Sequence, residues 1–302
     1  MALFLIGMAN GILFDRTDII YIYAVLGVLF LPFMYLSTEL VLWSALALVG
    51  APIVGQVALT RVLPDHLYRA VGAYASLVPD FIRTSAYPAL ALTRAHELVR
   101  ELAHPQMYVD NLDSLAMFVL GLYAARRGVF RNLSTSLGGL ARVMWGSLAV
   151  RLAASAWLFA RHHPGFGWDG WVGRLFGHAA LDGLVDAYST QALAVFYVCF
   201  VVMILQDERW KRLSLPIARV GRFALSNYIL HCFIGTTLFF GYGFGLYGRF
   251  GIGWGEGVAL IACGFLVGVS SWWLRRFDFG PAEWLWRTLT YWRPQAFRRA
   301  VR

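Results

Sequence analysis

Two runs in this chain, residues 19–36 and 257–274, contain no Asp, Glu, Lys or Arg. Each is long enough to cross a hydrocarbon core of about 30 Å as a helix, which takes roughly 17–25 residues. Lipid offers no partner to a bare N–H or C=O, so a chain built of such runs must pair its backbone within each segment. Composition agrees: 59% of the 302 residues are hydrophobic and 14% charged, where soluble domains carry about 25% charged residues. Mean hydropathy is +0.60. The alternating pattern of an outer-membrane barrel is absent. The expected fold is all-α, a polytopic transmembrane helical bundle.

Hydropathy and breakers place about eight membrane segments, at 1–14, 18–36, 38–60, 112–127, 140–160, 186–206, 222–245 and 256–275. The first is apolar but has no basic leader and no small-residue cleavage site, so it reads as a short membrane helix. Cys199, Cys232 and Cys263 all fall within apolar segments. Thiols so placed are packing residues and supply no disulfide framework.

The 26 Lys and Arg concentrate at 126–142, 209–222 and 275–302. Cytoplasmic loops retain Lys and Arg, so both termini are expected inside and the net charge of +9 reflects topology. Short membrane-flanking clusters are not the basic stripe of a nucleic-acid-binding protein. The chain reads as a single membrane domain, 1–302. Residues 61–111 form an outer loop whose stretch 92–103 is amphipathic, with Leu92, His96 or Leu98, and Leu102 near one face. Residues 280–302 form a cytoplasmic tail in which Trp284, Trp286 and Arg287 suit an interfacial anchor.

Ionisable groups at membrane depth are costly and need a partner or a function. Arg151 lies mid-segment. It either pairs with a carboxylate or holds a phosphate, carboxylate or headgroup, for which its planar fork is suited. Asn227 and His231 stand four residues apart on one helical face. They read as an interhelical hydrogen-bonded pair, or as a general base with an orienting amide. Asp18 heads the second segment, where an acid complements the helix dipole, and Glu39 has the same ambiguity. His178, Asp182 and Asp186 share a face that reads as a solvated helix start before it reads as a metal or proton site. His162 and His163 read as a loop pair. No metal site is expected. Gly243, Gly245 and Gly248 match the dinucleotide fingerprint in spacing but lack its βαβ context.

Three stretches carry a family resemblance. They are GRFALSNY at 221–228, YGFGL at 242–246 and FGPAEWLWRTLTY at 279–291. Together they resemble the bacterial YeiB-like family, a domain of unknown function numbered 418. Asp18, Tyr23, Ala24 and Gly27 resemble an upstream family segment. Asn10 stands where the family often has His, and His231 where it commonly has Gln. Family members usually begin with a further LD-x-x-RG span, absent here, and activity is expected to depend on that region if it supplies catalytic groups. The family is similar to the transmembrane acyltransferases. That resemblance implies an inner-membrane protein transferring an acyl group to an envelope saccharide or lipid, with acyl-CoA as donor and no other cofactor indicated. In this reading His231, Asn227 and Asp18 are catalytic, and Arg151 and Tyr228 bind substrate. The alternative is a transporter or export component for a small anionic metabolite.

Overall fold

The computed structural model describes residues 1–14, 18–62, 86–130, 133–162, 178–249 and 251–297. These residues form helices: α1 (Ala2–Leu13), α2 (Ile20–Phe30), α3 (Thr38–Val62), α4 (Tyr87–Ala103), α5 (Pro105–Asp110) and α6 (Leu112–Arg126). They continue as α7 (Leu133–His162), α8 (His178–Ile204), α9 (Glu208–Arg222), α10 (Ala224–Phe239), α11 (Ile252–Trp273) and α12 (Pro281–Tyr291). A 3-10 helix, Leu31–Tyr35, continues α2. No strand occurs among the described residues.

Among the described residues, four stretches are long and apolar enough to cross a membrane: Thr38–Gln56, Leu137–Arg161, Leu181–Ile204 and Gly253–Trp273. Three shorter apolar stretches accompany them, Ala2–Leu13, Ile20–Tyr35 and Ala224–Phe239. The chain is thus an α-helical membrane protein. Its long helices bury little of themselves, and Leu260 and Ile261 of α11 are 74% and 75% exposed. Side chains of that kind, bare over a whole helix face, need lipid or another apolar surface to cover them.

Two compact units are built from discontinuous stretches: residues 1–25, 66–103 and 212–302, and residues 26–65 and 104–211. In the first, α1 packs on α4 and α12, and α10 packs on α11 and α12. Tyr21 is fully buried, with its backbone pressed against Gly7 so closely that a Cβ there would collide with the Tyr21 amide. In the second, α7 pairs with α8, α3 with α6, and α8 also meets α3. Val41, Ala45, Val49, Leu115, Ala116 and Val119 are buried in this unit. Arg126 donates to the carbonyls of Met34 and Leu36, closing the turn ahead of α3.

The amphipathic stretch forms α4, with a different inner face from the expected one. Leu90, Arg94 and Leu98, spaced four apart, are buried, while Leu92 is exposed. Arg94 turns inward because the end of α1 needs it. Its Nη1 donates to the Leu13 carbonyl at 2.9 Å, which Tyr87 Oη also reaches at 3.0 Å. A cation at a helix C-terminus complements the dipole and fills an orphan carbonyl.

Candidate functional site

Helix α10 carries three of the five residues expected to be catalytic or substrate-binding, Asn227, Tyr228 and His231, and both of its ends are sealed by other parts of the first unit. At its start, the Glu283 carboxylate of α12 accepts from the backbone N–H of Leu225 at 2.7 Å and of Ser226 at 3.1 Å. It also accepts a hydrogen bond from the Ser226 hydroxyl, and Ser226 Oγ accepts from the Ala282 N–H at 3.0 Å. The carboxylate therefore satisfies first-turn donors that a helix leaves open and sits where the dipole favours negative charge. Gly280 closes this joint: a Cβ there would strike Glu283, Ser226 and Phe223. At the far end, residues 243–247 fold back so that the N–H groups of Phe244, Gly245, Leu246 and Tyr247 donate to the carbonyls of residues 237–240. Gly245 takes a positive φ of 60° to make that return.

Between those ends α10 presents a buried polar face. Asn227 Nδ2 donates to Ser270 Oγ of α11 at 2.7 Å, and Ser270 donates on to the Leu266 carbonyl. Tyr228 Oη accepts from the Ile19 N–H at 3.3 Å, beside the Asp18 carboxylate. Asp18 is fully buried, and its Oδ1 accepts from the Ile20 N–H, capping α2. Asn10 of α1 reaches Cys232 Sγ at 3.7 Å. The structure thus joins Asp18 to Tyr228 and places Asn227 in a separate bond to Ser270. His231 is exposed, one turn along from Asn227.

Arg151 belongs to the second unit, where it has its own partners. Its Nη1 donates to Ser189 Oγ at 2.9 Å and lies 3.6 Å from Asp186 Oδ1. Asp182, one turn before, pairs with Arg161 at 2.8 Å. The Asp182–Asp186 face is therefore laid against α7, and the side chain of His178 lies outside the described residues, as do His162's side chain and all of His163. Glu39 pairs with Arg127 at 2.9 Å.

Beside Asp186 opens a cleft of about 280 Å³ lined by Gln56, Asp110, Asp113, Asp186, Thr190 and Gln191, over Val49 and Pro52. Gln56 and Gln106 both donate to Asp110. Gln191 donates to Asp113 Oδ2 at 3.3 Å, while Asp113 Oδ1 accepts from the Ser114 N–H. Sequence reasoning passed over Asp110 and Asp113, which follow a helix break at His104–Pro105 and look like loop acids. Their tell-tale was the spacing of three, one helical turn, ahead of an apolar segment. No three of the described His, Cys, Asp and Glu residues are grouped to hold a metal ion.

The tail residues are split. Trp284 turns inward, donating from Nε1 to the Gln295 carbonyl at 2.8 Å and packing on Phe297. Arg287 lies over the Phe279 ring, and Trp286 is exposed.

The three sequence stretches noted above all converge on α10, which ties the resemblance to one structural element. The family model described as "Protein of unknown function (DUF418)" matches residues 124–293. The chain belongs to this family. Among relatives of this DUF418 chain, an uncharacterized protein YxaH of Bacillus subtilis is 26% identical over the whole chain and 73% of its own length. An uncharacterized protein YeiB of Escherichia coli is 47% identical, over 28% of this chain and 21% of its own length. An uncharacterized 39.9 kDa protein of Bacillus acidopullulyticus is 35% identical, over 33% of this chain and 28% of its own length. No solved structure matches the chain.

Proposed function

We propose that this DUF418 protein is a multi-pass protein of the bacterial cytoplasmic membrane that transfers an acyl group to a polyhydroxylated envelope acceptor. In this reading about eight segments enter the bilayer, both termini are cytoplasmic, and acyl-CoA is the donor. The observation that carries it is the cleft between α3, α6 and α8. Carboxylates accept from hydroxyls and carboxamides also donate to them, so Asp110, Asp113, Asp186, Gln56 and Gln191 suit a saccharide better than an anion. With the termini inside, the cleft opens outward, on the acceptor's side.

Asp113, held by Gln191, is the general base. It takes the proton of an acceptor hydroxyl as that oxygen attacks the thioester carbonyl, the acyl end of the donor reaching the cleft through the bundle from the cytoplasmic side. A C–O bond forms, the C–S bond breaks, and the thiolate leaves with the electron pair to be protonated. Arg151 serves by fixing Asp186, and His231 has no part. The test is reconstituted full-length chain given labelled acetyl-CoA and an envelope saccharide fraction. Label should reach the saccharide and be lost in a folded Asp113→Asn variant. No transfer by either protein overturns the reading.

A second reading, transport, is favoured by Asp18. A fully buried carboxylate beside a tyrosine hydroxyl is the type of group that carries protons in transporters. Proton-driven uptake of a labelled solute that Asp18→Asn abolishes, with no acyl transfer, would establish it instead.

A further inference from the structure

Helix α9, Glu208–Arg222, has no buried residue along its length. Its apolar side chains nonetheless keep strict helical spacing: Trp210, Leu213, Ile217 and Val220 recur at i, i+3, i+7 and i+10, one face of a helix. Trp210, Leu213 and Ile217 are 49%, 62% and 66% exposed. The opposite face carries Lys211, Arg212, Arg219 and Arg222, and Arg209 borders the apolar one. Lys211 pairs with Glu208 at 3.0 Å. Among the described residues the guanidinium groups of Arg209, Arg212 and Arg219 form no ion pair with a carboxylate.

The position of α9 says what covers its apolar face. The membrane-length stretch Leu181–Ile204 ends four residues before Glu208, so α9 starts at the depth where a crossing helix leaves the hydrocarbon. Asp207 fixes the turn, its carboxylate accepting from the Arg209 N–H at 2.8 Å. A helix with one apolar face, a basic opposite face and a Trp lies in the plane of the interface.

We propose that α9 is an in-plane membrane-surface helix that binds anionic phospholipid headgroups. Trp210, Leu213, Ile217 and Val220 enter the acyl boundary, while Arg209, Arg212 and Arg219 take the phosphates. Leu215, on the polar side, stays outside the acyl layer.

The test uses the full-length chain with Cys199, Cys232 and Cys263 replaced by Ala and single cysteines placed by Leu213→Cys, Ile217→Cys, Arg212→Cys or Arg219→Cys. Nitroxide-labelled protein is held in nanodiscs of phosphatidylcholine with or without phosphatidylglycerol, and accessibility to oxygen and to a water-soluble nickel chelate is read. Labels at 213 and 217 should be oxygen-accessible and shielded from nickel, labels at 212 and 219 the reverse, with the contrast deepening when phosphatidylglycerol is present. Each of Arg209→Gln, Arg212→Gln and Arg219→Gln should lower preference for spin-labelled phosphatidylglycerol over phosphatidylcholine about fivefold, with thermal stability unchanged. Nickel access at 213 and 217 overturns the proposal. So does shielding from both reagents, which would mean that protein covers the face. A depth pattern indifferent to phosphatidylglycerol overturns the headgroup assignment.

Discussion

Glu283 and Ser226 are 57 residues apart in sequence and share two contacts, carboxylate to backbone N–H and carboxylate to hydroxyl, while that hydroxyl also accepts from the Ala282 N–H. The cap on α10 is thus supplied by another helix, and α12 is fastened by the same atoms.

Glu283→Ala should lower stability by roughly 2–3 kcal/mol, because it removes a charge-assisted cap and leaves Ser226 and Leu225 donors buried. Glu283→Gln should recover part of that loss. Thermal unfolding in detergent, followed by circular dichroism, checks the order; equal melting of all three proteins would refute the cap.

Gly280→Ala should destabilise by at least as much as ordinary overpacking, about 1–3 kcal/mol, since the new methyl meets Glu283, Ser226 and Phe223 together. Gly7→Ala should behave likewise against Tyr21. By contrast, Gly264→Ala in α11, where a Cβ meets nothing within 4 Å, should be neutral or slightly stabilising. The same melting assay separates the three.

The Asn227–Ser270 bond should show a coupling of about 0.6–1.7 kcal/mol in a double-mutant cycle, the span seen for interhelical hydrogen bonds in membranes. His231→Ala should be additive with Asn227→Ala, because His231 is exposed while Asn227 is bonded to Ser270. A coupling between residues 227 and 231 comparable to the 227–270 term would restore them as a functional pair.

Asp182→Ala should cost about 3–5 kcal/mol by removing the carboxylate of a largely buried ion pair with Arg161, whose side chains are 20% and 11% exposed. Asp186→Ala should cost under about 1 kcal/mol, since the Arg151–Asp186 pair is more open. Chemical denaturation of the two variants side by side gives the comparison.

Much of the fold was legible because apolar length and breaker residues are local signals. The expected segment 112–127 became α6, Leu112–Arg126, and 38–60 became α3, Thr38–Val62. The inner face of α4 was not legible. Its polar Arg94 is drawn inward by the Leu13 carbonyl, a partner 81 residues away that periodicity does not register. His231 illustrates the same gap within one helix, since spacing of four puts two side chains on one side without saying how wide the neighbour's contact is. The motif stretches were recognisable as text, yet nothing local showed that Glu283 and Ser226 touch. The cleft acids were hidden for a different reason: Asp113 gains its orientation from Gln191, on a helix that joins only in three dimensions.

Helix α10 spans 16 residues, about 24 Å at 1.5 Å per residue, less than the hydrocarbon thickness it would have to cross. An ordinary helix of that length would leave its terminal amides and carbonyls in oil, far from water. Here Glu283 at one end and residues 243–247 at the other do the work of the aqueous phase. The helix carries a portable solvent with it, and its polar face is thereby free to sit at a depth that chain length alone would forbid.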